Sequence, residues 1–230
     1  MTNQKGIVLL SGGLDSTTCL ALAIEECGHE NVHTISISYG QKHSKELECA
    51  KQIAEHYNVS NEVFDLSSIF TSSNCSLLKN STDEVPSGSY ESQIETAGKV
   101  STYVPFRNGL MLSVVAAIAQ SRYPNENVTV YLGNHMDDAA GDAYPDCSVE
   151  FAQYMDKAIS SGTYDLVHLK CPFVRNTKSE IVTYGLAHNV PYEKTWSCYN
   201  GTHEPCHKCG TCIDREKAFE ANGIIDPLCK

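Results

Sequence analysis

Ser11-Gly12-Gly13-Leu14-Asp15-Ser16 follows directly on the apolar run Gly6-Ile7-Val8-Leu9-Leu10 and precedes a segment whose Cys19, Leu20, Ala23 and Ile24 share one helical face. A short unbroken apolar run reads as a strand buried on both faces, the pattern of a parallel sheet covered by helices. Asp15 and Ser16 are cap-type residues, so a helix is expected to start there and fade near Cys27-Gly28. The bend between strand and helix has the chemistry of a phosphate cradle. Its glycines let backbone approach a ligand closely, its serines offer hydroxyls, and the helix start adds free N–H groups and the positive dipole end. It is neither G-x-x-x-x-G-K-[ST], since no Gly-Lys-Ser/Thr occurs in the chain, nor G-x-G-x-x-G. A turn that merely caps a helix is the plainer reading, and the order strand, string, helix weighs against it.

The same alternation continues along the chain. Residues 32–39, 62–66, 128–132 and 165–169 read as strands, and residues 44–57, 108–123, 149–159 and 179–188 as helices. Strands alternating with helices predict an α/β fold, a doubly wound, mostly parallel five-stranded sheet. The polar loop from Gly133 to Cys147 leaves the carboxyl end of a strand, where open α/β sheets place ligands. Between residues 67 and 101 the pattern dissolves into Ser, Thr, Asn and Gly, too long for a plain connection; a functional lid and a disordered surface insertion both fit. The division expected is an α/β domain over 1–195, with its polar insertion at about 67–101, and a small metal-binding subdomain over 196–230.

That subdomain is read from cysteine spacing. The chain has 11 Cys, an odd number, and no apolar run long enough for an export signal or a membrane span, so a cytoplasmic protein without a disulfide framework is expected. Cys198-x7-Cys206-x2-Cys209-x2-Cys212 gathers four thiols within fifteen positions, with Gly201, Pro205 and Gly210 allowing tight reversals. This is a zinc pattern, with an iron–sulfur cluster as its rival; His203 and His207 are set aside because His207 would crowd the site. The net charge of −11 opposes a large polyanion as partner, because phosphate-backbone binding relies on many cations. A small anion held by local cations and a helix start is compatible with it.

The Ser-Gly-Gly-x-Asp-Ser string resembles the pyrophosphate loop of the ATP-pyrophosphatase superfamily, whose members cleave ATP to AMP and pyrophosphate. Tyr39-Gly40-Gln41-Lys42-His43, Thr102-Tyr103-Val104-Pro105-Phe106-Arg107-Asn108, Tyr144-Pro145-Asp146-Cys147, Trp196-Ser197-Cys198-Tyr199 and Asp226-Pro227 are similar, in that order, to the 7-cyano-7-deazaguanine synthases of the queuosine pathway. The likeness runs from Gly6 to Pro227 and is interrupted mainly by residues 67–101, longer and more polar than the family pattern leads one to expect. It implies an adenine nucleotide alpha hydrolase-like sheet, structural Zn²⁺ on Cys198, Cys206, Cys209 and Cys212, Mg²⁺ with ATP, a homodimer, and two ATP-driven steps from carboxylate through amide to nitrile.

Residue by residue, Leu10, Ser11, Gly12, Gly13, Leu14, Asp15 and Ser16 are expected at the ATP phosphates, with Lys42 and His43 near the nucleotide. Lys178, in a Lys-Ser-Glu-Ile string like the family's, is expected to neutralise phosphate or adenylate charge, and Arg107 to bind a carboxylate or phosphate, with Asn108 capping the following helix. Asp146 is the candidate acceptor for a guanine-like ring, and Asp137 a weaker one. Asp15, Lys178 and Arg107 form the catalytic set. The rival functions are a tRNA-modifying enzyme of the same superfamily, a relative that stops at the amide, and a nucleotide-sensing zinc module.

Overall fold

The computed structural model describes residues 4–97, 100–139, 143–200 and 203–229. In chain order the elements are β1 (Lys5–Leu9), α1 (Leu14–Cys27), β2 (Val32–Ser38), α2 (Lys45–His56), β3 (Ser60–Asp65), α3 (Tyr90–Ala97), α4 (Arg107–Arg122), β4 (Val128–Tyr131), α5 (Met136–Ala139), α6 (Val149–Gly162), β5 (Val167–Lys170), α7 (Lys178–Ala187) and α8 (Gly210–Ala221). The strands form one sheet in the order β3-β2-β1-β4-β5, and each neighbouring pair is parallel. The expected five-stranded sheet is therefore parallel throughout.

β1 shows why its sequence reads as unbroken apolar. Val8 and Leu10 pack on one face with Leu20 and Ala23 of α1, Ile53 of α2 and Ile181 of α7. Ile7 and Leu9 point the other way, against Leu112 and Val115 of α4 and Ile159 of α6. Successive strand side chains alternate in direction, and helices cover both faces. From β1 the chain winds outward to β2 and β3, then returns to place β4 on the opposite side of β1. The strand order reverses there, which opens a crevice beyond the carboxyl ends of β1 and β4.

Two helix starts differ from expectation. α1 begins at Leu14 with Gly13 as its extended N-cap, so Asp15 and Ser16 lie in the first turn and no side chain caps the helix. The Ser16 hydroxyl is instead turned back on the bend, where it accepts from the Ser11 N–H at 3.2 Å. α4 starts at Arg107 after a left-handed Phe106, and Asn108 is inside the helix rather than its cap. The first-turn N–H of Asn108 donates to the Asp146 carboxylate at 2.9 Å.

Residues 67–101 carry buried apolar groups where they are described. Phe70, Cys75, Leu77 and Leu78 are buried with Tyr39 and Val104, and α3 brings Tyr90 into the crevice. The described part of the segment packs as structure, not as a solvated insertion. Beyond Trp196 the chain joins the α1 core directly, because Cys198, Cys209, Cys212, Ala218 and Phe219 share a buried cluster with Leu20 and Ile53. No helix among the described residues is long and apolar enough to cross a membrane.

Arg215 of α8 fastens this last segment. Its Nε and Nη2 donate to the two Asp226 oxygens at 2.7 and 3.0 Å, Nη1 donates to Thr195 Oγ1 at 2.7 Å, and Nη2 to the Tyr192 carbonyl at 3.1 Å. Both charged side chains are only 4% exposed. Arg215→Ala leaves Asp226 buried without its counter-charge and is expected to cost about 3–5 kcal/mol in urea unfolding. Arg215→Met combined with Asp226→Leu should cost clearly less than the single change; equal losses would show that packing, not charge, dominates there.

Candidate active site

The crevice at the strand-order reversal encloses about 1090 Å³ including its open mouth. Its floor is the bend after β1. Gly12 has φ +85°, and a Cβ there would lie 2.1 Å from the Glu46 carbonyl oxygen, so only glycine lets α2 press this close. The Gly13 N–H donates to Ser11 Oγ at 3.2 Å, the Ser11 and Ser16 hydroxyls lie 3.0 Å apart, and Ser16 Oγ donates to the Gly13 carbonyl at 3.2 Å. These bonds hold the bend in shape before anything binds. The first N–H groups of an uncapped helix have no intrahelical acceptor, so α1 presents donors and a positive dipole end beside the crevice. Leu14 is buried and Leu10 lines the crevice wall.

Charge is concentrated beside the bend. Lys178 opens α7 behind a capping box in which Thr177 accepts from the Glu180 N–H and Glu180 reaches back to Thr177. This buried lysine places Nζ 3.4 Å from Asp15 Oδ2. Burial alone would raise the Asp15 carboxyl, but the charges of Lys178 and His135 outweigh it and hold the group below its usual range. Burial likewise disfavours the Lys178 ammonium, yet Asp15, Asp138 and Asp214 lift it well above the ordinary lysine value. The other Asp15 oxygen, Oδ1, is buried with no hydrogen-bond partner. An orphaned anionic oxygen beside a phosphate cradle suits a hard divalent cation such as Mg²⁺.

His135 is a crevice-side residue that sequence reasoning passed over. It is fully buried, its Nε2 lies 3.3 Å from Asp138 and 3.7 Å from Asp15, and neither ring nitrogen makes a hydrogen bond. Its position directly after Gly133-Asn134 at the end of β4 was the available signal. Asn134 Oδ1 is also buried and unpartnered, while its Nδ2 donates to the Cys147 carbonyl at 2.8 Å.

The remaining expected residues divide into three groups. Arg107 and Asn108 line the crevice, with the Arg107 guanidinium 5.3 Å from the Tyr39 ring centroid. Asp137 and Asp146 do not line it. Asp137 accepts from the Lys178 N–H at 2.8 Å, and Asp146 is spent on the Asn108 N–H; each carboxylate satisfies a helix start that carries a crevice cation or amide. Burial raises the Asp146 carboxyl against the pull of that N–H and of Arg107. Lys42 and His43 face a small side recess shared with Glu46, Cys198 and Tyr199, and Lys42 Nζ donates to the Asp83 carbonyl at 2.6 Å.

Glu46 and the aromatic groups Tyr90, Trp196 and Tyr199 line the crevice and were not anticipated. Burial pushes the Glu46 carboxyl up to about 7, although Arg107 pulls against it. A glutamate in the first turn of a helix is so ordinary a complement to the helix dipole that its sequence position gave no hint.

The four expected thiols converge. The Sγ atoms of Cys198, Cys206, Cys209 and Cys212 all lie within 4.8 Å of one another, with Cys206 and Cys212 at 4.0 Å. A tetrahedral zinc with Zn–S near 2.3 Å has S···S edges of about 3.8 Å, so the thiols need close only slightly to hold a metal. The N–H groups of Cys206 and Asn200 donate to Cys198 Sγ at 3.2 and 3.4 Å, which suits thiolate sulfur. His207 turns to Glu216 instead, with Nδ1 and Oε1 2.5 Å apart. All eleven cysteines are free of disulfides.

Comparison with known proteins places the chain in a family. Residues 5–223 match the family model described as queuosine biosynthesis protein QueC. A 7-cyano-7-deazaguanine synthase of Pseudoalteromonas translucida (strain TAC 125) is 42% identical over 225 residues, covering 98% of both chains. Those of Archaeoglobus fulgidus and Thermoplasma volcanium are 40% and 43% identical, each spanning 98% of this chain and 90% of the relative. With a match that runs through the bend after β1, the crevice and the cysteine cluster, the chain belongs to the QueC family of queuosine biosynthesis proteins.

Proposed function

We propose that the chain converts 7-carboxy-7-deazaguanine, ammonia and ATP to 7-cyano-7-deazaguanine. The observation that carries this reading is the uncapped start of α1, faced by Lys178 and by the partnerless Asp15 oxygen inside one crevice. The carboxylate attacks the α-phosphorus of ATP and pyrophosphate leaves. Ammonia then displaces AMP, giving the amide and a proton. The amide oxygen then attacks the α-phosphorus of a second ATP, a second pyrophosphate leaves, and loss of AMP and a proton gives the nitrile.

No protein nucleophile is needed for these steps; the protein must stabilise charge that develops on the departing pyrophosphate. The N–H groups of Leu14, Asp15 and Ser16, with the Ser11 and Ser16 hydroxyls, receive the phosphate oxygens, and Gly12 and Gly13 leave room for them. Lys178 neutralises the growing charge. Asp15 Oδ1 would hold Mg²⁺, which when bound supplies positive charge to the phosphate oxygens. Arg107 and Asn108 orient the acid, and Asp137 and Asp146 act by fixing the helix starts that carry Lys178 and Asn108. Lys42 and His43 flank the nucleotide. Burial under α3 and Tyr90 protects the adenylate from water. The four cysteines hold structural Zn²⁺, and the chain works as a cytoplasmic homodimer, which sedimentation reads as a doubled mass. A tRNA substrate is not favoured by a chain of net charge −11.

Mass spectrometry of a reaction with the acid, ATP, Mg²⁺ and ammonium should find the nitrile, with two AMP released per nitrile; amide that accumulates without nitrile would contradict the second step. Asp15→Asn should cut AMP release about a hundredfold or more without loss of the folded circular-dichroism signature.

The Asp15–Lys178 pair also sets a pH signature. Asp15 is held below its unfolded value of about 3.9, so its contribution is present above that pH and lost as pH falls through the folded value. Lys178 is held above its unfolded value of about 10.4, so its contribution is present below that pH and lost as pH rises through the folded one. The difference in melting temperature between the parent and Asp15→Asn is expected to stay level from about pH 5 to 10 and to shrink below about pH 4. A difference that does not change with acidification would remove the pair from the account.

Cys209→Ser is expected to lower both bound zinc and unfolding temperature, since a structural site contributes its binding free energy to folding. Unchanged stability in a zinc-free sample, or the brown absorption of an iron–sulfur cluster, would overturn that assignment.

A further inference from the structure

We infer that the carboxylate of Glu46 reads the purine edge of the substrate, its two oxygens accepting the ring N1–H and one N–H of the 2-amino group. The inference rests on the reaction proposed above and names the residue that selects its substrate. A guanine-type edge presents two adjacent donors, and an ionised carboxylate is the side chain that offers two parallel acceptors and no donor of its own.

Three carboxylates line the crevice, those of Asp15, Glu46 and Asp138. Asp15 is engaged with Lys178 beside the phosphate bend, and Asp138 lies 3.3 Å from His135. Asp146, the acceptor suggested by sequence, holds the start of α4 and lies outside the lining. Glu46 alone among the three makes no hydrogen bond and no ion pair with a described residue. The burial that disfavours its charge is what two ligand N–H donors would relieve.

The surroundings suit a flat heterocycle. Tyr39, Tyr90 and Tyr199 line the same crevice, giving aromatic surface against which a bicyclic ring can lie. The Glu46 main chain is pressed on Gly12, so the residue is tied by backbone contact to the loop that takes the ATP phosphates. On the bicycle the 7-carboxylate is carried by the five-membered ring, on a different edge from N1 and the 2-amino group, so a base gripped by Glu46 leaves its acid group free for adenylation.

The test compares 7-carboxy-7-deazaguanine with the same acid lacking the 2-amino group. The parent protein should prefer the amino compound in kcat/KM by about a hundredfold or more, because its absence leaves a buried acceptor unpaired. Glu46→Gln and Glu46→Ala should each lose most of that preference and raise KM for the base, with KM for ATP changed by less than about threefold. A general structural role would depress both substrates alike and keep the ratio, which would overturn the assignment of Glu46 alone. A parent protein that forms neither AMP nor nitrile from the acid would instead overturn the reaction on which the assignment rests.

Discussion

Three parts of the chain meet at the backbone of Gly12, and the site depends on that contact. A Cβ there would fall 2.1 Å from the Glu46 carbonyl and 2.7 Å from the Ala50 nitrogen of α2, while the Gly12 carbonyl accepts the Trp196 N–H at 2.9 Å. Gly133 repeats the close approach on the β4 side, where a Cβ would lie 2.8 Å from the Asp15 carbonyl. The bend is thus clamped between α2, β4 and the chain that leads into the cysteine cluster. Donors fixed in this way need no reorganisation as charge develops, which is where preorganised sites gain their effect. Trp196 precedes the first clustered cysteine by two residues, so a metal on Cys198, Cys206, Cys209 and Cys212 would stiffen the segment that grips Gly12 from above.

Electrostatics act locally against the global field. The chain carries a net charge of −11, yet the crevice gathers Lys178 and Arg107 where anionic groups would arrive. Each cation is held by a second element: Asp137 secures the backbone of Lys178, and the turn containing Asp146 secures Asn108 beside Arg107. Acidic residues that look like ligand contacts in sequence therefore lie behind the crevice lining, bonded to the backbone of Lys178 and Asn108. Only a few kT of local potential is required to concentrate a small anion at such a site, so overall acidity is no obstacle.

The sheet, the glycine bend after β1 and the cysteine set were legible because each rests on short-range regularity. Buried parallel strands leave unbroken apolar runs, the bend needs glycines at fixed places, and cysteines four within fifteen positions have few other uses. What was not legible depends on contacts far apart in sequence. Asp146 follows Pro145 in a loop and looks free, but its partner is the N–H of Asn108, 38 residues earlier. Residues 71–89 lack period because Cys75, Leu77 and Leu78 are buried by irregular backbone, and the helix that follows, α3, is only eight residues long. Glu46, Asn134 and Tyr90 line the crevice from α2, the loop after β4 and α3, with His135 buried beside Asn134, and no spacing rule links these three parts of the chain.

The central claim is that the bend after β1 receives the phosphates of ATP. A crystal structure of the complex with Mg²⁺ and an ATP analogue carrying a methylene bridge between the α- and β-phosphorus atoms tests it most directly. The account predicts β- and γ-phosphate oxygens on the N–H groups of residues 14–16 and on the Ser11 and Ser16 hydroxyls, with Lys178 Nζ at the bridge. A triphosphate seated elsewhere, above an empty bend, would contradict it.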